Sequence, residues 1–263
     1  MSERDHCSNI DGQERPLVSV IMPAYNAEKY IAEAIQSVIS QTYPNWELII
    51  LDDGSTDGTA GIAESFAKSD HRIHSLQNPQ NMGVARTRNR GFDLANGEWI
   101  ALLDSDDIWH RDKLEKQLTA AKETDAEILY ASYALFADGE SGKTEYHVPA
   151  RTNYSHMLKE NVIGCSTVLL RKTMLNNYRF RADVYHEDYA LWLELLRNGY
   201  AAAGCPEVLT DYRIVKGSRS NNKIKAAKNR WMIYRKAERL PLLKAVYVFA
   251  AYAVNGFSKH KRV

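Results

Sequence analysis

The chain has 263 residues, of which 44% are hydrophobic and 25% charged, the balance of a globular domain large enough to bury its own core. This excludes disordered, collagen-like and polytopic membrane chains. The net charge of +1 hides an asymmetry: Arg213–Val263 holds 14 Lys and Arg against the single acid Glu238, while the preceding residues hold 20 basic and 32 acidic ones.

Residues 1–16 read as a disordered leader, too polar for a secretory signal. Val18–Met22 is an apolar run of strand length that Pro23 is expected to end. Ile31, Ala34, Ile35, Val38 and Ile39 then form one helical stripe. Trp46–Leu51 is a second buried strand, closed by the turn cluster DDGSTDGT. A helix over Thr59–Lys68, a strand over Ile73–Leu76, a helix over Gly83–Ala95 and a strand over Trp99–Leu103 continue the alternation. Continuous apolar strands joined by amphipathic helices predict a parallel sheet covered on both faces.

Beyond Asp107 the expected elements are a helix over Arg111–Lys122, a strand over Ile128–Phe136 and a hairpin or loop over Ala137–Thr152. Then come a strand over Ser166–Leu170, a helix over Glu187–Arg197 and a last strand over Val208–Tyr212. Helices over Asn222–Glu238 and Pro241–Asn255 close the chain. Cys7, Cys165 and Cys205 are odd in number, widely spaced and without metal-ligand pattern, which points to a reducing compartment.

Ligands of open parallel sheets bind at the carboxyl ends of the strands. Here three such ends carry polar clusters: Pro23-Ala24-Tyr25-Asn26, Asp52-Asp53-Gly54-Ser55 and Asp104-Ser105-Asp106-Asp107. One cluster alone would be a turn; three at neighbouring strand ends point to a site. Converging carboxylates repel and need a cation, and oxygen ligands suit Mg²⁺ or Mn²⁺ bridging to substrate phosphates. Neither a dinucleotide-binding glycine fingerprint nor a P-loop is present, so metal and arginines must meet the phosphates.

The segments VSVIMPAYNAEKYIAEAIQSVISQTYPNWELIILDDGSTDGT, NMGVARTRNRG and GEWIALLDSDD together resemble glycosyltransferase family 2, over roughly residues 17–215. The resemblance implies the α/β GT-A fold, a mostly parallel Rossmann-like sheet flanked by helices. Residues 17–110 would be its nucleotide-binding half, 111–215 its acceptor half, and 216–263 basic C-terminal helices. It further implies a UDP-sugar donor, with Pro23 and Tyr25 against the uracil ring and Asp53 accepting from its N3–H. Arg88 would face the diphosphate, Asp104 and Ser105 the ribose side of the D-x-D, and Asp106 the metal, Mn²⁺ or Mg²⁺. Asp107 could share either task, and a helix-surface salt bridge is the alternative for Arg88. Asp52, Asp57 and Asp112 read as turn or cap residues.

The E-D pair of the family matches Glu187-Asp188 in HEDYALW, implying Asp188 as the base of an inverting transfer and Glu187 as a residue that orients the acceptor. The alternative is a plain helix N-terminal acid. Many relatives carry Tyr-Arg-x-His after the last strand; here Val215 replaces that His. Arg213, Lys216 and Arg219 stand nearby as candidates to neutralise the diphosphate. The later segments are similar to the bacterial branch that builds teichuronic acid, O-antigen and capsule repeats. That similarity implies a lipid-linked saccharide acceptor and a cytoplasmic enzyme peripheral to the inner membrane. The apolar core Ala245–Val254 is only ten residues, too short to span a bilayer, and reads as an interfacial helix or as one docked on the domain. No nucleic-acid motif accompanies the basic tail. The competing functions are a nucleotidyltransferase, which lacks its basic loop after the first strand, and an inactive sugar-nucleotide-binding or scaffold protein.

Overall fold

The structure, a computed structural model, describes residues 15–139, 142–215 and 223–259. Most of the leader, with Cys7, lies outside them, as do Lys216, Arg219 and residues 260–263. Strand β1 (Val18–Ala24) is buried along its whole length. It pairs in parallel with β2 (Trp46–Asp52) on one side and β4 (Trp99–Leu102) on the other. β3 (Ile73–Gln77) extends the parallel set beyond β2. The connections are the helices α1 (Ile31–Ile39), α2 (Thr59–Ser69) and α3 (Val84–Leu94).

Pro23 lies inside β1 instead of ending it, opposite Leu51. The β1–β4 pairing stops at Ile21, so the missing proline N–H falls where β1 has no neighbour on that side. After β4 come β5 (Ile108–Trp109), α4 (Lys113–Thr124), β6 (Ile128–Phe136), β7 (Thr144–Tyr146), β8 (Arg151–Thr152) and α5 (Tyr154–Lys159). β9 (Leu169–Arg171), α6 (Glu187–Arg197) and β10 (Ala202–Arg213) follow. The described residues form one sheet of ten strands, with the path β3-β2-β1-β4-β9-β6-β10-β5 and β7 and β8 at its flanks.

The sheet is mixed. β6 and β10 are parallel, but β9 runs antiparallel between β4 and β6, and β5, β7 and β8 are also antiparallel. The strand expected over Ser166–Leu170 starts late, because Cys165–Thr167 is a 3-10 turn. That turn leaves the Ser166 carbonyl to accept from Trp109 Nε1 at 2.8 Å.

Alternation along the central strands sorts the core into two faces. Val18, Val20, Met22, Leu48 and Ile50 pack with α1, α2 and α4. Ile21, Ile49, Leu51, Ile100 and Leu102 pack with α3, α5 and α6. α3 lies so close to β1 that a Cβ at Gly91 would stand 2.5 Å from Ile21 Cγ2.

The C-terminal segment forms α7 (Lys223–Met232), continued by a π turn over Ile233–Ala237, and α8 (Leu242–Lys259). Both dock on the second face. Arg230 lies 3.6 Å from the Tyr189 ring centroid, and Glu238 accepts from Arg197 and from the Tyr154 hydroxyl, each at 2.7 Å. α8 buries Ala245 and Val248 but leaves Leu242, Leu243, Val246, Tyr247 and Val254 exposed on its outer side. No helix among the described residues is long and apolar enough to cross a membrane.

Candidate active site

The carboxyl ends of β1, β2 and β4 and the start of α3 enclose a cleft of about 420 Å³. Its walls include Pro23, Tyr25, Asp53, Arg88, Asp104, Ser105 and Asp106, all of them expected from the sequence on the donor or metal side. Tyr25 is 51% exposed and forms the rim, its ring open to a stacking partner. Asp53 is buried. One of its oxygens accepts from Asn78 Nδ2 at 2.7 Å and from the Met82 N–H at 2.8 Å, the other from the Gly83 N–H at 2.8 Å. Gly83 reaches this position with φ at +82°, a conformation that strains any residue with a Cβ. Asp53 therefore shapes the loop that starts α3 as well as facing the cleft.

Arg88 is buried and binds two acids, Asp104 at 2.6 Å and Glu187 at 3.0 Å. It is neither a surface pair nor a free cation. Glu187 is itself buried, and Arg88 takes up its carboxylate. Asp107 points away from the cleft and is held by the Ser166 hydroxyl at 2.6 Å and the Arg213 N–H at 3.1 Å. This separates it from Asp104 and Asp106. Arg213 is committed elsewhere: its guanidinium pairs with Glu33 and Asp138 and donates to the Asp106 carbonyl. It braces the cleft wall and is not the diphosphate cation expected. Asp52 and Asp57 accept from backbone N–H groups of their own turn, as read from sequence, and Asp112 pairs with Lys116.

Burial pushes the Asp106 carboxyl up, and Asp104 adds to this. The same holds for Asp107, raised by burial, then by Asp106 and Asp104. Asp106, raised by burial on the cleft wall, is the acid that fits a cation, since Asp104 already has Arg88 and Asp107 has Ser166 and the Arg213 N–H. Among the described residues no three His, Cys, Asp or Glu side chains form a protein-only metal cage. An oxygen donor set this small suits Mg²⁺ or Mn²⁺, which keep waters and take phosphate oxygens. Val215, in the place of the family's His, supplies no ligand.

His186 adopts left-handed backbone (φ 65°) and turns the chain into α6, so that Glu187 and Asp188 occupy its first turn. Asp188 is partly buried. Its carboxyl is pushed up to about 6, by burial first and then by Glu187, while Arg88 acts in the opposite sense. Leu191 and Trp192 are buried and anchor the helix.

Sequence reasoning missed Asn78, which also reaches the Thr87 hydroxyl at 3.0 Å, and the cleft residues Asn81, Val84 and Thr87. Asn81, Val84 and Thr87 lie in the segment NMGVARTRNRG, of which only Arg88 is assigned from sequence, and Asn78 lies three residues before it. Ser166 went unseen because its place in a turn, with Oγ accepting from the Asp104 N–H at 3.1 Å, depends on β9 lying beside β4.

Comparison with known proteins places this architecture. The chain is 43% identical over 93% of its length to a Bacillus subtilis protein, TuaG, described as a teichuronic acid biosynthesis glycosyltransferase, and covers 98% of it. It is 40% identical over 93% of its length to the Escherichia coli UDP-Glc:α-D-GlcNAc-diphosphoundecaprenol β-1,3-glucosyltransferase WfgD, covering 95% of that protein. Staphylococcus aureus TarS in complex with UDP-GlcNAc shares the fold with a TM-score of 0.69 at 21% identity, over 92% of this chain and 72% of that one. So does the Pyrobaculum calidifontis mannosyltransferase PcManGT in complex with GDP-Man and Mn²⁺, at 0.70 and 21%, over 92% and 74%. The sheet is thus the GT-A arrangement expected. Glycosyl transferase family 2 matches residues 19–177, and with these relatives the chain belongs to that family and is a glycosyltransferase.

Proposed function

We propose that the protein transfers a sugar from a UDP-sugar to a lipid-linked saccharide with inversion, in the building of a cell-surface polysaccharide. The observation that carries the mechanism is the link Asp104–Arg88–Glu187, which fixes Asp188 in a set position relative to the donor cleft. Residues 17–110 hold the nucleotide. Tyr25 stacks on uracil and the free edge of Asp53 accepts from the base. Asp106 would hold the divalent ion, and the chemistry that ion would supply is neutralisation of the departing diphosphate.

Residues 111–215 present the acceptor. Asp188 accepts the proton of the acceptor hydroxyl as its oxygen attacks the anomeric carbon. The new C–O bond forms as the bond to the β-phosphate oxygen breaks, and that electron pair leaves with UDP. Base and leaving group lie on opposite faces, so an α-linked donor yields a β-glycoside. The name of WfgD supports UDP-glucose as donor and an N-acetylglucosaminyl diphosphate lipid as acceptor.

Such an acceptor lives in a membrane. The exposed stripe Leu242, Leu243, Val246, Tyr247 and Val254 on α8, within the basic segment, fits in-plane contact with an anionic cytoplasmic leaflet. The test is UDP release from UDP-glucose and UDP-N-acetylglucosamine with acceptor lipid, with Mn²⁺, Mg²⁺ or chelator. Release that requires both acceptor and metal is expected. Failure with every UDP-sugar overturns the reading.

A further inference from the structure

A second cleft, of about 430 Å³, opens on the α5 side of the sheet, apart from the nucleotide cleft. Its walls carry Tyr133, Tyr146, His147, His156, Glu160 and Asn161. Tyr133 and Tyr146 stack with centroids 5.2 Å apart and planes within 13°, so that Tyr146, on the edge strand β7, is the outer ring of the pair. Facing polar groups come from α5 and the chain just after it. An aromatic plate opposed by imidazole, carboxyl and amide groups is the chemistry that recognises a pyranose: the ring's C–H face lies on the aromatic and its hydroxyls pair with the polar rim.

Contacts lead from the walls of the cleft in two directions. On one side, Tyr133 meets Tyr212 edge-on at 5.0 Å, and the Tyr212 hydroxyl accepts from the Ser166 N–H at 2.8 Å. Ser166 in turn binds Asp107 and the Asp104 N–H. Asp104 is joined through Arg88 to Glu187, the neighbour of Asp188 in the first turn of α6. On the other side, Lys159 places its ammonium 5.5 Å from the centroid of Tyr247, on the exposed stripe of α8. The Lys159 carbonyl accepts from Asn255 at 3.4 Å.

We infer that this cleft binds the saccharide head of a lipid-linked acceptor, with the lipid running toward α8 and the reacting hydroxyl toward Asp188. The inference rests on the transferase reading above and names the acceptor subsite it leaves open. The experiment uses the full chain, UDP-glucose and N-acetylglucosaminyl diphosphate carried on a short saturated prenyl chain, with Tyr146→Ala and Asn161→Ala as variants. Tyr146 lies on a short edge strand, and circular dichroism with UDP affinity reports whether each variant is folded.

Each substitution is expected to raise the acceptor KM about tenfold while UDP affinity stays at the wild-type value. An acceptor KM unchanged in both variants overturns the inference. If the wild type releases UDP from no UDP-sugar, the transferase reading itself fails. The cleft is then judged by saturation-transfer NMR on the same lipid-linked sugar. Saturation of the sugar protons that is lost in Tyr146→Ala supports the cleft; saturation absent from the wild type, or unchanged in the variant, overturns it.

Discussion

Arg88 and Glu187 meet at 3.0 Å across 99 residues of chain, joining the helix that starts at the nucleotide cleft to the helix that carries Asp188. The same guanidinium binds Asp104 at 2.6 Å. Removing it leaves a buried carboxylate without its cation, which costs about 3–5 kcal/mol. Arg88→Met is therefore expected to unfold at lower urea and to lose UDP affinity together with turnover. Arg88→Lys keeps the charge but cannot fork to both acids, so it should retain stability better than activity. Urea titration and UDP calorimetry of the pair check this; a Met variant with wild-type stability would show that the bridge is incidental.

Gly91 closes the segment that carries Arg88, and its role is packing. An added Cβ meets Ile21 on β1, in a core where both partners are backbone-anchored. Overpacking of this kind costs about 1–3 kcal/mol. Gly91→Ala should lower the thermal midpoint and, by displacing α3, weaken UDP binding as well. A variant with unchanged midpoint would place α3 farther from β1 than the structure does.

Most of the first half of the fold was legible because β1, β2 and β4 are buried on both faces and α1 carries a single apolar stripe, so periodicity separated them. Ile128–Phe136 and Glu187–Arg197 were found to the residue for the same reason. The antiparallel strands were legible only in part: the strand expected over Ser166–Leu170 overlaps β9, and β7 and β8 fall inside the segment read as a hairpin or loop. β5, β7, β8 and β9 have two or three residues each, and what fixes them is a partner distant in sequence. The site followed the same division. Asp53, Asp104 and Asp106 stand at strand ends that composition marks, whereas the commitment of Arg213 to Glu33 and Asp138 depends on the strand order. The sequence points Glu187 at the acceptor, because it does not show that Arg88 binds the Glu187 carboxylate.

The outer stripe of α8 gives a second measurement. Leu243 is 86% exposed and Tyr247 62%, while Ala245 and Val248 on the inner side are buried. Burying two such side chains in a leaflet contributes about 1.5–3 kcal/mol each. Replacing Leu243 and Tyr247 together by Glu should release the protein from phosphatidylglycerol vesicles and leave its thermal midpoint and UDP affinity as they were. Cosedimentation reads the first and calorimetry the others. Equal sedimentation of both proteins would assign membrane contact, if any, to the charges alone.

Asp188 carries the last prediction, in which activity and stability move in opposite directions. Its carboxyl is pushed up to about 6 from an ordinary value of 3.8. As a base it must be ionised, so kcat/KM should climb with pH through about 6 and level off above it. Because the folded value lies above the unfolded one, the folded state binds the proton more tightly, and its contribution to stability is present at low pH and lost as pH rises through about 6. At pH 7 the ionised carboxylate is thus a burden on the fold. Asp188→Asn removes the charge at constant size. It should stabilise the protein at pH 7 by on the order of 2 kcal/mol, yet lower turnover by roughly 10²–10⁴-fold, the usual contribution of a positioned base. UDP affinity should barely change, since Asp188 does not line the nucleotide cleft. Turnover, thermal midpoint and UDP calorimetry on one preparation read all three. An Asn variant that is less stable and fully active would remove Asp188 from the mechanism and leave it as a helix-terminal acid.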